Sequence, residues 1–155
     1  RNRLLILAAP EYINTYGMPE VIEDLADLPA ASYYSASLRV EGIRYMNENG
    51  DIKEQKIKSV FRANDGEVLL SKILSGTAYF LTPAFLVENE VKDGRLVPLL
   101  TDIKLMDYSA MYAVYPHRDL PVRTRLFFDA VREYIGKDKP VWEQSIPNFE
   151  QLYQG

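Results

Sequence analysis

The sequence predicts an α/β fold, because segments patterned like short buried strands alternate with segments of helical periodicity along its 155 residues. The nearly unbroken apolar run over residues 3–9 is typical of a strand buried on both faces. The pair Asn49-Gly50 lies between two extended segments and predicts a hairpin, because both residues accept a positive φ. Apolar residues recur at helical spacing over residues 121–135 and predict a long amphipathic helix.

In the first part of the chain, the strand over residues 3–9 leads into a helix over residues 10–16. Proline is tolerated at a first helical position, and Gly17 suits the position after a helix end. The next predicted elements are all extended segments: residues 31–37, 42–47 and 51–60. The last two form the hairpin around Asn49-Gly50.

The clearest helix start is Asn64, which can accept hydrogen bonds from first-turn amides while Glu67 reaches back towards the chain before it. This pattern predicts a helix over residues 65–75 that ends at Gly76. The later predicted elements are a strand over residues 79–81, a short helix over 83–90, extended segments over 96–100, 103–106 and 109–115, and the helix over 121–135. Residues 137–155 are interrupted by prolines and are predicted to be a tail with at most one short helix.

The long helix carries its apolar side chains on one side. This stripe contains Leu126, Phe127, Ala130, Val131, Tyr134 and Ile135, while Arg125, Asp129, Arg132 and Glu133 take the opposite side. Such a stripe requires a partner surface against which it can be buried.

The composition excludes several classes of function. With 18 basic and 22 acidic residues, the net charge of -4 offers phosphate backbones no broad attraction, so this chain is predicted to bind nucleic acid poorly. The absence of cysteine excludes disulfides, thiolate zinc sites and a cysteine nucleophile. The longest apolar run, residues 4–10, is far shorter than the roughly 20 residues that span a bilayer. We therefore expect a cytoplasmic protein without membrane contact.

Catalytic and cofactor motifs are also missing. A single histidine, His117, excludes metal sites built on several imidazoles, and in its loop it is interpreted as an ordinary polar residue. No glycine-rich nucleotide loop and no G-x-S-x-G motif follows any strand. The acidic pairs Asp65/Glu67 and Glu88/Glu90 are explained by helix ends and solvated faces. The sequence therefore predicts no cofactor and no enzymatic activity.

Two positions have a rationale for binding. The amides at the start of the helix after Asn64, with the positive end of the helix dipole, favour an anion or a carbonyl-rich ligand. The alternative is that Asn64 only caps its helix. Thr82 ends a buried strand, where open α/β sheets border ligand crevices, although many such residues only shape turns.

Several segments together resemble the effector-binding domain of LysR-type transcription regulators. They are Ala8-Ala9-Pro10-Glu11-Tyr12-Ile13, the run Arg62 to Leu70 continued by Ser75-Gly76 and Leu81-Thr82-Pro83, Gly94 to Leu100, and Ala113 to Arg118 followed by Val122, Arg123 and Phe127 to Asp129. Their order and spacing extend over nearly all of residues 3–135, which makes the combination specific.

The resemblance implies two α/β lobes, like those of a periplasmic binding protein, with the effector held between them. Residues 1–9 would end the first lobe and lead into a crossover, residues 10–102 would form the complete second lobe, and residues 103–136 would return to a first lobe only partly present. Residues 137–155 would be the C-terminal tail. The apolar stripe would then be exposed in this chain or covered by a neighbouring molecule.

The resemblance also implies the site and the partners. Asn64 and Asp65 at the helix start, Thr82 beside the cleft and Ser35 on the opposite strand would contact a small-molecule effector, with an anion among the candidates. The family's usual second glycine after Gly76 is replaced here by Ala78, followed by the bulky Tyr79, and larger side chains near the cleft would narrow the pocket. Self-association as a homodimer or tetramer is expected, with DNA contacted only through an absent winged helix-turn-helix. No cofactor is implied.

Two other functions remain open at this stage. A solute-binding protein of a transport system shares the two-lobe plan, but it would be secreted and usually longer. An enzyme on an unrelated α/β fold is the second, and it would show an activity sensitive to changes at Asp65, Glu67 or His117.

Overall fold

The computed structural model describes residues 3–107, 112–115 and 119–152. Its strands are β1 (Leu4–Ala8), β2 (Pro29–Tyr33), β3 (Gly42–Met46), β4 (Ile52–Lys56), β5 (Lys58–Ala63), β6 (Tyr79–Pro83), β7 (Val97–Leu99) and β8 (Lys104–Leu105). Its α-helices are α1 (Pro10–Tyr16), α2 (Gly66–Leu74), α3 (Glu88–Lys92), α4 (Val122–Ile135), α5 (Val141–Ser145) and α6 (Phe149–Leu152). Short 3₁₀ helices lie at Ile22–Ala26 and Ala84–Leu86. The alternation of strands and helices confirms the predicted α/β class.

A five-stranded sheet organises the molecule, with the strand order β5-β2-β6-β1-β7. Strand β2 runs parallel to β5 and β6, whereas β1 runs antiparallel to β6 and β7. A smaller antiparallel sheet has the order β4-β3-β8. Each parallel pair is joined by a crossover that packs on a face of the large sheet, as parallel strands require.

Strand β1 separates two apolar cores because successive side chains point to opposite faces. All five of its residues are buried, which confirms the predicted two-faced strand. Leu4 and Ile6 pack on one side with the buried Tyr12 of α1, while Leu5 and Leu7 pack on the other side with Leu69 of α2. The predicted helix α1 is confirmed at the predicted bounds.

The predicted hairpin is confirmed in part. Strands β3 and β4 pair antiparallel across the turn at Gly50, whose φ is +83°. The second strand, predicted over residues 51–60, is wrong as one element, because it divides at Ile57 and β5 joins the large sheet beside β2. No glycine or proline marks this division, so the sequence pattern alone did not reveal the change of sheet.

Two further predictions are corrected. Strand β2 ends at Tyr33 rather than at residue 37, because the backbone turns at Ser35, whose amide donates to the Leu38 carbonyl at 2.7 Å. The helix predicted over residues 83–90 divides into the 3₁₀ helix Ala84–Leu86 and α3. The extended segment predicted over residues 109–115 lies partly outside the described residues, and its described part, residues 112–115, has no regular structure.

The tail contains two short helices, so the prediction of at most one was wrong. Ile146 and Phe149 are each only 2% exposed and belong to the core on the α2 side of the sheet. Helix α4 confirms the predicted long helix, but none of its residues is buried. Within the described residues, no helix has the length and apolar character needed to cross a membrane.

Candidate functional site

The candidate site lies at one edge of the large sheet, where three parallel strands end. Tyr33 at the end of β2 pairs with Ala63 at the end of β5, and the pairing of β2 with β6 lies two residues before Tyr33. The carboxyl ends of β2, β5 and β6 therefore lie side by side. Because β1 is antiparallel to β6, its amino end lies there too, with Leu4 opposite Pro83. We call this region the strand-end edge. Ligand crevices of open α/β sheets lie beyond such carboxyl ends.

Helix α2 begins at the strand-end edge, directly after β5. Its cap is Asp65 rather than the predicted Asn64. Asp65 has an extended backbone, and its Oδ1 accepts from the amides of Glu67 at 2.8 Å and Val68 at 3.1 Å. Two of the first-turn amides are therefore already bound by a carboxylate of this chain. Both Asn64 and Asp65 are exposed.

Ser35 follows the end of β2 and lies in a tight turn. The turn is held by the Leu38 amide, which donates to the Ser35 Oγ at 3.1 Å. The preceding amide of Tyr34 donates to the Ala63 carbonyl at 2.9 Å, which ties this turn to the end of β5. The structure therefore brings Ser35 and Asn64 to neighbouring positions of the strand-end edge, and Ser35 is partly exposed there.

Thr82 lies at the same level of the sheet, opposite Leu5 of β1. It is 0% exposed, so it is enclosed beneath the edge rather than open to solvent. Its Oγ1 is buried without a hydrogen-bond partner among the described residues. An unpartnered buried hydroxyl is unfavourable, and it is the one atom of its kind in the described part of the chain.

Two arginines at the edge were missed by the sequence reasoning. The guanidinium carbons of Arg39 and Arg62 lie 4.9 Å and 5.8 Å from the centroid of the Tyr34 ring. Neither arginine forms an ion pair with a carboxylate of the residues that the structure describes. Tyr34 thus holds two positive charges beside Ser35. Arg62 lies near the end of β5, only two residues before Asn64. This position beside a candidate residue is the sequence feature that could have indicated Arg62.

Tyr79 lies away from the strand-end edge. Tyr79 begins β6, so it lies at the opposite end of the strand from Thr82. Its ring is buried and its hydroxyl donates to the Leu25 carbonyl at 3.2 Å, while burial raises the pKa of this phenol. The bulky side chain therefore fills the core on the α1 side and leaves the strand-end edge unchanged.

The acidic pair Glu88/Glu90 has a structural role at α3. The carboxylate of Glu88 accepts a hydrogen bond from Ser145 of the tail, and Glu90 pairs with Arg95 at 3.0 Å. No group of three or more potential metal ligands occurs in the described ranges. His117 lies outside the described residues.

Comparisons with known proteins identify the family. Residues 1–136 match the family described as "LysR substrate binding domain". Over 141 residues the chain is 31% identical to the HTH-type transcriptional regulator CrgA of Neisseria meningitidis, covering 88% of this chain and 45% of the relative. The chain thus spans about half the length of the curated relatives it matches.

Solved structures agree with the sequence match. The fold superposes on the regulatory domain of AphB from Vibrio vulnificus with a TM-score of 0.62 and 28% identity, covering 84% of this chain and 64% of that one. For the regulatory domain of CrgA from Neisseria meningitidis the TM-score is 0.62 at 27% identity, with coverage of 84% and 63%. The chain has the α/β fold of these regulatory domains, and it belongs to the LysR substrate-binding domain family.

Proposed function

We propose that this chain senses a small molecule at the strand-end edge and thereby controls transcription through a DNA-binding segment of the whole protein. The relatives' names as HTH-type transcriptional regulators support this proposal over a solute-binding protein of a transport system. No bond is made or broken in this account; the effector changes the populations of two conformations. Since its target is DNA, the protein acts in the cytoplasm.

The proposal divides the chain as the family resemblance suggests. Residues 1–9 lead into the crossover, residues 10–102 form the second lobe, and residues 103–136 return to the first lobe. The exposed apolar face of α4 supports this division, because Leu126 and Phe127 are each 63% exposed and require a covering surface. The opening strands of the first lobe would supply that surface in the whole protein.

The observation that carries the proposal is the convergence at the strand-end edge. Residues distant in sequence, Ser35 and Asn64, meet beside the carboxyl ends of adjacent parallel strands, and both are open to solvent at least in part. Asp65 shapes the helix tip beside them. Thr82 lies below with a hydroxyl that a polar group could satisfy if the lobes rearranged around the effector. These four residues are the proposed effector contacts.

The proposed effector is an anion, recognised by the pair Arg39 and Arg62. The start of α2 contributes less to anion binding than an open helix end would, because Asp65 already occupies two of its amides. The guanidinium groups stacked on Tyr34 supply positive charge without a carboxylate partner in the described residues. Guanidinium groups bind carboxylates through paired hydrogen bonds.

A homodimer or tetramer is the proposed assembly. Strand β5 is an outer strand of the large sheet, and Val60 on it is 53% exposed. Val68 on the adjacent helix α2 is 47% exposed. An uncovered outer strand beside apolar side chains favours association with another copy.

The test uses the intact regulator and a thermal-shift panel of benzoate, succinate and inorganic phosphate, followed by calorimetric titration. A ligand that binds the native state alone raises the apparent stability. For the carboxylate with the larger shift, Arg39→Gln, Arg62→Gln and Asn64→Ala should each weaken binding about tenfold, which corresponds to roughly 1.4 kcal/mol. These exposed substitutions should leave the melting temperature of the unliganded protein within a few degrees.

Matched controls are available on the hairpin. Arg44→Gln and Asn49→Ala change exposed residues of the same types away from the strand-end edge, and they should leave affinity unchanged. Equal losses at Arg44 and Arg39 would mean that net charge, rather than the edge, governs binding. Unchanged affinity in Asn64→Ala would remove Asn64 from the site.

A further inference from the structure

The chain reverses direction sharply after α4, and a glycine makes this reversal feasible. Gly136 has a φ of +105°, which side chains rarely permit, and a Cβ at this position would collide with the Lys139 carbonyl oxygen. The Lys137 amide donates to the Arg132 carbonyl at 2.9 Å, and the Lys139 amide donates to the Gly136 carbonyl at 2.9 Å. The path from α4 into the tail is therefore a defined turn.

Beyond this turn the tail docks on the large sheet rather than on α4. Ile146 and Phe149 enter the core on the α2 side, where Leu5 and Phe80 also lie. The Trp142 ring is 5.7 Å from the ring of Phe85, which belongs to the 3₁₀ helix after β6. This apolar contact places residues 141–149 beside the strand-end edge.

Charged groups fix the tail to the residue that precedes β1. The Arg3 guanidinium lies 3.6 Å from the Glu143 carboxylate and 3.3 Å from that of Glu150, and 5.5 Å from the Phe149 ring centroid. Glu143 is only 4% exposed, so its charge depends on a nearby cation. Lys139 also pairs with Glu150, at 3.2 Å.

Arg3 is also fixed through its backbone. Its carbonyl accepts from the Ala84 amide at 3.0 Å, and Ala84 follows β6 directly. The tail thus contacts the point where β1 enters the large sheet. Under the proposed function, α4 lies on the first lobe and β1 leads from that lobe into the crossover. The core that receives Ile146 and Phe149 contains Leu69 and Phe80 and belongs to the second lobe.

We propose that residues 137–152 form a strap that ties the end of α4 to the second-lobe core beside the start of β1 and restrains movement between the two lobes. This inference rests on the proposed division into lobes. The strap acts as a connection in addition to the crossover segments, because its two ends are attached to different lobes. Releasing it widens the range of lobe separations and leaves the effector contacts in place.

The test is carried out on the intact regulator, with its other cysteines replaced and spin labels at Asp129→Cys on α4 and Lys53→Cys on the hairpin. Arg3→Gln leaves Glu143 buried without its cation and should undock the strap. Amide exchange over residues 141–149 should rise at least tenfold, and the distribution of label distances should broaden. The double variant Arg3→Gln/Glu143→Gln removes the buried charge and should restore both slow exchange and the narrow distribution.

Two outcomes overturn the strap. One is unchanged exchange over residues 141–149 in Arg3→Gln. The other is faster exchange without any broadening of the distances, which would make the tail a passive cover. Should Arg3→Gln fail to fold, Glu150→Gln removes an exposed partner of the same guanidinium. This variant should also broaden the distribution of label distances, although less than Arg3→Gln. An unaltered distribution in Glu150→Gln also overturns the strap. Carboxylate binding that depends on Arg39 tests the proposed function separately.

Discussion

Helices α2 and α4 both have an apolar side, yet only the shorter one is covered. In α2, a helix of 9 residues, Leu69 and Ile73 are 0% exposed against the large sheet. In α4, with 14 residues, none is buried, and Tyr134 is 82% exposed. An amphipathic pattern therefore indicates that a helix packs on a partner surface, but it does not indicate whether that surface belongs to the same chain.

The largest expected difference between the two helices is in core substitutions. Leu69→Ala removes a fully buried side chain and should lower the free energy of unfolding by about 2–5 kcal/mol. Leu126→Ala, at a residue 63% exposed, should change it by less than about 0.5 kcal/mol. Urea unfolding of this 155-residue chain followed by circular dichroism measures both.

The same two substitutions made in the intact regulator test whether α4 packs on a lobe completed outside this chain. If the first lobe covers α4 there, Leu126→Ala should become destabilising, while the effect of Leu69→Ala should stay the same. An equally small effect of Leu126→Ala in both contexts would contradict the assignment of α4 to a lobe completed by residues outside this chain.

The difference also explains how much of the fold could be predicted. The run of residues 3–9, the helix at Pro10 and the glycine turn at Gly76 follow from local rules, and each is confirmed. The division at Ile57 and the docking of Ile146 depend on which distant segment lies opposite, and sequence periodicity does not contain that information.

The candidate site shows the same limit. Strand ends predicted from pattern identified the neighbourhood of Asn64 and Thr82, because parallel strands end at a common edge. Arg39 was missed because its stacking on Tyr34 arises from a turn whose shape is set by the Ser35 hydroxyl. The cap was misplaced by one residue, since Asn and Asp are both good caps and only the backbone angles distinguish them.

A substitution of intermediate effect tests the start of α2. Asp65→Ala leaves the amides of Glu67 and Val68 without their acceptor and should cost about 0.5–2 kcal/mol of stability. Asn64→Ala removes an exposed side chain that does not cap the helix, so its cost should be below about 0.5 kcal/mol. Equal costs in thermal unfolding would show that both residues share the capping role.

The smallest expected effect is a pH dependence of the docking of the tail. The tail continues from the uncovered α4 and covers part of the large sheet. Burial raises the pKa of Glu143, Arg3 and Lys139 oppose this rise, and Glu150 adds to it. A carboxyl whose pKa is raised in the folded state contributes stability at low pH, and that contribution is lost as pH rises through the raised value. Hydrogen bonds from Lys139 and Arg3 lower the pKa of Glu150, so its contribution is lost only at still lower pH.

Because the two pKa shifts have opposite directions, there is a range of pH in which Glu143 is protonated and Glu150 is still ionised. Docking of the tail should tighten as the pH falls into that range. On acidification Glu143 takes up its proton at a higher pH than an ordinary glutamate, while Glu150 stays ionised to a lower pH. As the pH falls from 7, amide exchange over residues 141–149, corrected for its intrinsic pH dependence, should therefore slow. Glu143→Gln should abolish this slowing because it removes the titrating group, and Glu48→Gln on the exposed hairpin should preserve it. Faster corrected exchange on going from pH 7 to pH 5 would mean that the ion pair with Arg3 outweighs the cost of burying Glu143, and the sign assigned to that carboxylate would then be wrong.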